Sequence, residues 1–179
     1  MKQSIRLFFL FFAVLFFTAC GSSKTTLTRQ PDATPKREFR GAWIQTVGQS
    51  RYRQMNSAAM KHYLSEMVRK LDEAGINAVI FQVRPEADAF YKSDLEPWSR
   101  YLTGEQGKAP DDPSFDPLSF IIDECHQRGM ELHAWLNPYR VKTSLNNPLA
   151  ENHIYWRNPE RFIQYGNQLF FDPGLPENR

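Results

Sequence analysis

The sequence predicts an α/β fold on a parallel sheet, of the (β/α)8 TIM-barrel type and truncated to roughly its first half. Three observations lead there. Strand-like and helix-like stretches alternate, and each connection between strands is long enough to hold a helix, which means parallel pairing. Each strand splits into one apolar set and one set that turns polar. Gln82, Glu131 and His133 fall in the polar sets and suit a barrel interior. No Gly-rich phosphate loop follows a strand: Gln82-Val-Arg-Pro85 and Leu136-Asn-Pro-Tyr139 contain no glycine. That disfavours a dinucleotide-binding sheet.

The elements follow in order. Arg40–Thr46 is the first strand, Ile76–Val83 the second and Met130–Leu136 the third. Between the first two lies a helix that Ser57 can cap. Met60, Tyr63, Leu64, Met67, Val68 and Leu71 fall on one face of it, and Gly75 is placed to end it. The next helix has Asp116 as N-cap and Pro117 as first residue. Its apolar face is Leu118, Ile121, Ile122 and Cys125, and Gly129 closes it. A third helix is expected from Asn158 with Pro159 as first residue. Tyr165-Gly-Asn-Gln168 then reads as a turn before a short strand, Leu169–Phe171.

The N-terminus reads as export machinery. Residues 1–19 form a lipoprotein signal peptide: Lys2 and Arg6 supply positive charge, and Leu7–Phe17 is an apolar run too short to span a bilayer. Phe17-Thr-Ala-Cys20 resembles a lipobox, so Cys20 is the expected lipidation site and the membrane an expected partner through that lipid. An ordinary signal peptide with a coincidental cysteine is the other reading. Gly21, in place of an Asp after the cysteine, favours the outer membrane. Residues 20–37 are rich in Ser, Thr, Lys and Pro and read as a disordered tether; order is expected over 38–179. The chain has 2 cysteines. With Cys20 lipidated, Cys125 stands alone as a small buried hydrophobe.

Composition narrows the function. The 179 residues are 41% hydrophobic and 23% charged, enough for one domain with a core. The net charge of +2 falls to near zero when Lys2 and Arg6 leave with the signal. Nothing there draws nucleic acid. The histidines at 62, 126, 133 and 153 lack metal-ligand spacing, no cofactor is expected, and no nucleophile elbow is visible.

Barrels keep their chemistry at the carboxyl ends of strands. After the second strand stand Arg84, Glu86 and Asp88; after the third stand Asn137, Pro138, Tyr139 and Arg140, with His133 and Trp135 on one face of that strand. The stretch from Pro85 to Phe115 is about thirty residues, far more than a connection needs, and carries Trp98, Tyr101, Thr103, Gly104, Glu105, Gln106 and Gly107. Aromatic faces with carboxylates, amides and arginine bind sugars, and two carboxylates cut a glycosidic bond. The expected catalytic residues are Glu86 and Asp88. The expected substrate-binding residues are Arg84, Trp98, His133, Trp135, Asn137, Tyr139 and Arg140. Structural readings stand beside these. Arg84 and Glu86 can be an ion pair, Asp88 can cap the turn Ala87–Tyr91, His133 can be a hydrogen-bonded interior residue, and Trp98 and Trp135 can be core.

Arg40-Gly-Ala-Trp43, Phe81-Gln-Val-Arg-Pro-Glu-Ala-Asp-Ala-Phe-Tyr91, Glu96-Pro-Trp-Ser-Arg-Tyr-Leu-Thr-Gly104, His133-Ala-Trp-Leu-Asn-Pro-Tyr-Arg140 and Asp172-Pro-Gly174 together resemble the glycosyl hydrolase-like 10 family. The resemblance covers Glu38 to the end. It implies a bacterial, often lipid-anchored (β/α)8 protein, with some members acting on cell-wall glycan strands stripped of peptides. It also implies Arg84, Glu86, Asp88, His133, Asn137 and Arg140 as cleft residues. A barrel of this type takes about 250 residues. Family members continue past a motif like Asp172-Pro-Gly into a fourth strand that ends in acidic residues. The expected function is therefore an envelope-anchored glycoside hydrolase-like protein, represented by the N-terminal part of its barrel and binding a glycan or other polysaccharide. The rivals are a non-catalytic carbohydrate-binding lipoprotein and an inactive truncated product. A complete smaller fold is the other reading of the length.

Overall fold

A computed structural model of the chain describes residues 38–179. The expected signal peptide, Cys20 and the tether lie outside the described residues. No helix among the described residues is long and apolar enough to cross a membrane.

Strands β1 (Gly41–Ile44), β2 (Ala78–Arg84) and β3 (Glu131–Leu136) form one parallel sheet in the order β1-β2-β3. Helix α1 (Ser57–Glu73) connects the first pair. Helix α2 (Arg100–Thr103) and helix α3 (Pro117–His126) lie in the second connection. The register sets Ile80 between Trp43 and His133, and Gln82 opposite Trp135. Along β2 one face of the sheet is dry: Val79, Phe81 and Val83 join Met60, Leu64 and Val68 of α1 and Ile121 and Cys125 of α3 in the main core, whereas on β3 Ala134 is exposed and Leu136 is 49% exposed. The apolar face expected for α1 is all in the main core, and that of α3 is there through Leu118, Ile121 and Cys125. On the other face Trp43 is 67% exposed, and His133 and Glu131 are exposed too.

Asp116 caps α3 as expected, accepting from the backbone N–H of Leu118 and Ser119 at 2.9 and 3.0 Å. The cap of α1 differs from expectation. Asn56, in extended backbone, accepts from Ala59 N at 2.9 Å, and Ser57 is the first helical residue. Ser57 instead donates its N–H and hydroxyl to Asp111 Oδ1 at 2.7 and 2.6 Å. A serine already inside the helix has N–H and O–H free to bind the long loop. Gly75, at φ +79°, follows α1 in the left-handed region where a glycine costs nothing.

Beyond β3 the alternation stops. Strands β4 (Arg140–Lys142), β5 (Phe162–Tyr165) and β6 (Gln168–Phe171) form a second, antiparallel sheet in the order β4-β6-β5. The expected helix from Asn158 is a single 3-10 turn, Pro159–Arg161, that runs straight into β5. Phe162 explains the change: its ring packs on Phe171 with centroids 4.5 Å apart and on Tyr155 at 5.2 Å. That contact is made across paired strands, and no helical apolar face follows Pro159 to compete with it. The expected strand at Leu169–Phe171 exists, as the middle strand of this second sheet and not as a fourth parallel strand. We call the antiparallel sheet and its connection 143–161 the flap. Its small core is Val141, Leu169 and Phe171, with one residue from the loop after β2, Ala87.

Candidate functional site

The carboxyl ends of β2 and β3 meet at Arg84. Its guanidinium pairs with Glu96, Nε lying 2.7 and 2.8 Å from the two carboxylate oxygens. Nη1 donates to the carbonyl of Asn137 at 2.7 Å. This replaces the Arg84–Glu86 pair that the sequence allowed. The bulge between Gln82 and Arg84 re-aims the strand end, and Glu96 comes back on the long loop to meet it. Asn137 ties the junction together: its Nδ2 donates to the Pro85 carbonyl at 3.1 Å, and its Oδ1 accepts from Trp135 Nε1 at 3.0 Å.

Two hollows flank the junction. Arg84, Asp94, Glu96, Pro138, Arg157 and Arg161 line part of a cavity of about 500 Å³. Trp43, Gln45, Gln49, Tyr52, Tyr63 and Trp135 line another, of about 380 Å³. In the second, the Trp43 and Trp135 rings meet edge to face with centroids 5.1 Å apart. Gln82, expected in the interior, is buried below. Its Oε1 accepts from the backbone N–H of Thr46 and Val47 at 2.9 and 3.1 Å, holding the end of β1 in place.

Glu86 and Asp88 are brought together, but beneath the surface: both are 0% exposed. Glu86 Oε1 accepts from Thr143 N at 2.6 Å and from the Tyr101 hydroxyl at 3.1 Å; Oε2 stands 3.3 Å from Arg100 Nε. That last contact is one of charge more than of hydrogen-bond alignment. Asp88 Oδ1 accepts from Glu86 N at 3.2 Å and Oδ2 from Gln106 Nε2 at 3.0 Å. So Asp88 braces the residue behind it and does not cap the turn ahead. Burial, and then the neighbouring Glu86, raise the Asp88 carboxyl to about 6 against the hydrogen bond from Gln106. Between the two carboxylates Ala87 holds φ +51°, a left-handed conformation uncommon for a residue with a Cβ. His153 is fully buried in the same region. Its Nδ1 accepts from Tyr155 N at 3.1 Å, and burial, then the nearby Arg100, lower its pKa to about 4.

The remaining expected residues scatter. Trp98 is pinned by the backbone pairing of Ala89 with its neighbours Pro97 and Ser99, and packs on the main core. Tyr139 packs on the flap core. Arg140 pairs with Phe170 of β6, the residue between the flap-core residues Leu169 and Phe171, so it takes the face away from that core. His133 sits level with Ile80, lower on the sheet than the junction. It pairs with Glu131 at 2.9 Å and meets the Phe39 ring edge-on at 5.5 Å. Arg100 and Thr143, which the sequence does not single out, join Glu86, Thr143 from 57 residues away; His153, also not singled out, is buried nearby. Arg100 had a signal in the Glu96–Gly104 motif; Thr143 and His153 had none. Among the described residues no three of His, Cys, Asp or Glu converge as metal ligands.

The glycosyl hydrolase-like 10 family model matches residues 38–179. Glycosyl hydrolase YngK of Bacillus subtilis (strain 168) is 45% identical over an alignment of 154 residues, covering 83% of this chain and 29% of that protein. Glycosyl hydrolase DigH of Escherichia coli (strain K12) is 34% identical over 180 residues, covering 89% of this chain and 40% of that protein. The chain thus spans well under half the length of these relatives. With the match running through every described residue, the chain belongs to the glycosyl hydrolase-like 10 family.

Proposed function

We propose that the chain contributes the sugar-binding part of a glycoside hydrolase, folded as the first strands of a (β/α)8 barrel. The observation that carries this is the Arg84–Asn137–Trp135 junction in a member of this family, with an aromatic hollow on one side and a charged cavity on the other. A sugar offers apolar ring faces and a rim of hydroxyls, which match those two linings. The barrel reading is supported by strand order. The parallel strands run in sequence order, and α1 and α3 share one core on one face of the sheet. A doubly wound sheet carries helices on both faces.

The substrate we propose is a cell-wall or other polysaccharide glycan. Cleavage needs two carboxylates at the scissile bond. Glu86 or Asp88 would work with an acid from outside residues 38–179. Their burial favours a second reading, carbohydrate binding without catalysis. We further propose export and attachment through lipid on Cys20, with residues 1–19 as signal, 20–37 as tether and the outer membrane as destination. The support is the Lys2–Cys20 pattern. Metabolic labelling with palmitate should mark the chain and fail with Cys20→Ser; equal labelling of both removes the anchor.

The direct test is to incubate the chain with purified glycan strands and measure retention and new reducing ends. New ends support hydrolysis, and binding without them supports the second reading. Trp135→Ala is expected to weaken binding up to about tenfold, the scale of one lost aromatic contact. No binding by the intact chain would sink both readings.

A further inference from the structure

The loop after β2 and the flap are joined by two side chains that the expected site does not include. Arg100, 8% exposed, faces Glu86 Oε2 at 3.3 Å with Nε, and its Nη2 donates to the Pro148 carbonyl at 2.9 Å. Gln106, 7% exposed, donates Nε2 to Asp88 Oδ2 at 3.0 Å, and its Oε1 accepts from Ala150 N at 3.0 Å. Each therefore spans from one buried carboxylate to the backbone of the flap connection. Glu86 adds a direct bond to Thr143 N at 2.6 Å. Ala87, between the carboxylates, is the loop residue inserted in the flap core. Its left-handed backbone is the sort of strain that persists only where the surroundings enforce it.

We infer that Arg100 and Gln106 are positioning residues: paired struts that seat the flap on the carboxylate loop and so fix the wall of the cavity beside Arg84. They act through Glu86, Asp88 and the flap backbone and do not line that cavity, whereas Ile154, Arg161 and Phe171 of the flap do. The order of the flap depends on them because its own core is small, while the main core holds α1, α3 and β2 without them. The consequence for sugar binding rests on the function proposed above; the mechanical coupling does not.

Amide hydrogen exchange on the intact chain tests it. In Gln106→Leu, peptides covering 140–171 are expected to exchange about tenfold faster, the worth of one buried hydrogen bond, while α1 and β2 stay within about twofold of wild type. Arg100→Lys retains a charge opposite Glu86 but cannot fork to Pro148. It should show the same local pattern with less loss of global stability than Arg100→Met. Unchanged flap exchange in both Gln106→Leu and Arg100→Lys, or uniform acceleration through α1 and β2, overturns the inference. Glycan affinity measured on the same variants separates the two ideas. A loosened flap with unaltered affinity, or with no glycan binding by the wild type, leaves the struts standing and removes the sugar reading.

Discussion

Glu86→Ala is expected to cost about 3–5 kcal/mol of folding stability, because it strands a buried cation. Arg100 is 8% exposed, and Glu86 is the carboxylate beside it. The substitution also leaves Thr143 N without its acceptor and the Tyr101 hydroxyl with only Thr143 Oγ1. The loss should appear as a lower denaturant midpoint at an unchanged slope. The double variant Glu86→Leu with Arg100→Met should recover most of it, since exchanging a buried pair for apolar side chains is far cheaper than breaking it. A loss below about 1 kcal/mol for Glu86→Ala would mean that water reaches Arg100 and the network is not a dry one.

The second large effect is hidden in the wild type. Asp88 has a folded pKa of about 6, above the usual 3.8. The native state holds its proton more tightly, so the stability it contributes is full below pH 3.8 and is lost as pH rises through 6. His153 has a folded pKa of about 4, below the usual 6.5. Its contribution is full above pH 6.5 and is lost as pH falls through 4. Each is worth about 3 kcal/mol, at 1.36 kcal/mol per pKa unit. Between pH 4 and 6 the two slopes oppose, and their joint contribution is nearly flat. Asp88→Asn should unmask the histidine, so that stability drops by about 3 kcal/mol relative to wild type on going from pH 6.5 to 4. His153→Gln should do the reverse and become relatively more stable as pH falls. Denaturant midpoints at four or five pH values decide it. Parallel profiles for all three proteins would show that neither group is perturbed.

Much of the main sheet was legible because its signals are local. Asp116-Pro117 announces a helix start, and Met60, Leu64 and Val68 announce a buried face, since caps and periodicity act within one or two turns. Pro159 misled for the same reason. It opens a 3-10 turn as readily as a helix, and Phe162 stacking on Phe171 then decides for a strand. The candidate site was legible as a list and not as an arrangement. Arg84, Asn137 and Trp135 do meet. Trp98 and Tyr139 went to cores, because an aromatic suited to a sugar is equally suited to packing.

What the sequence by itself determined is the order of the first strands and helices, the parallel pairing that long crossovers impose, and membership of the family through motifs spread over residues 38–179. What only the tertiary structure decided is which charge meets which. Arg84 takes Glu96, 12 residues on, and leaves Glu86 to Arg100 and Thr143. Backbone signals are settled among neighbours, whereas a charge chooses its partner by which groups lose water together. That choice is made only when the loop after β2 folds back on its own strand end and the flap closes on it.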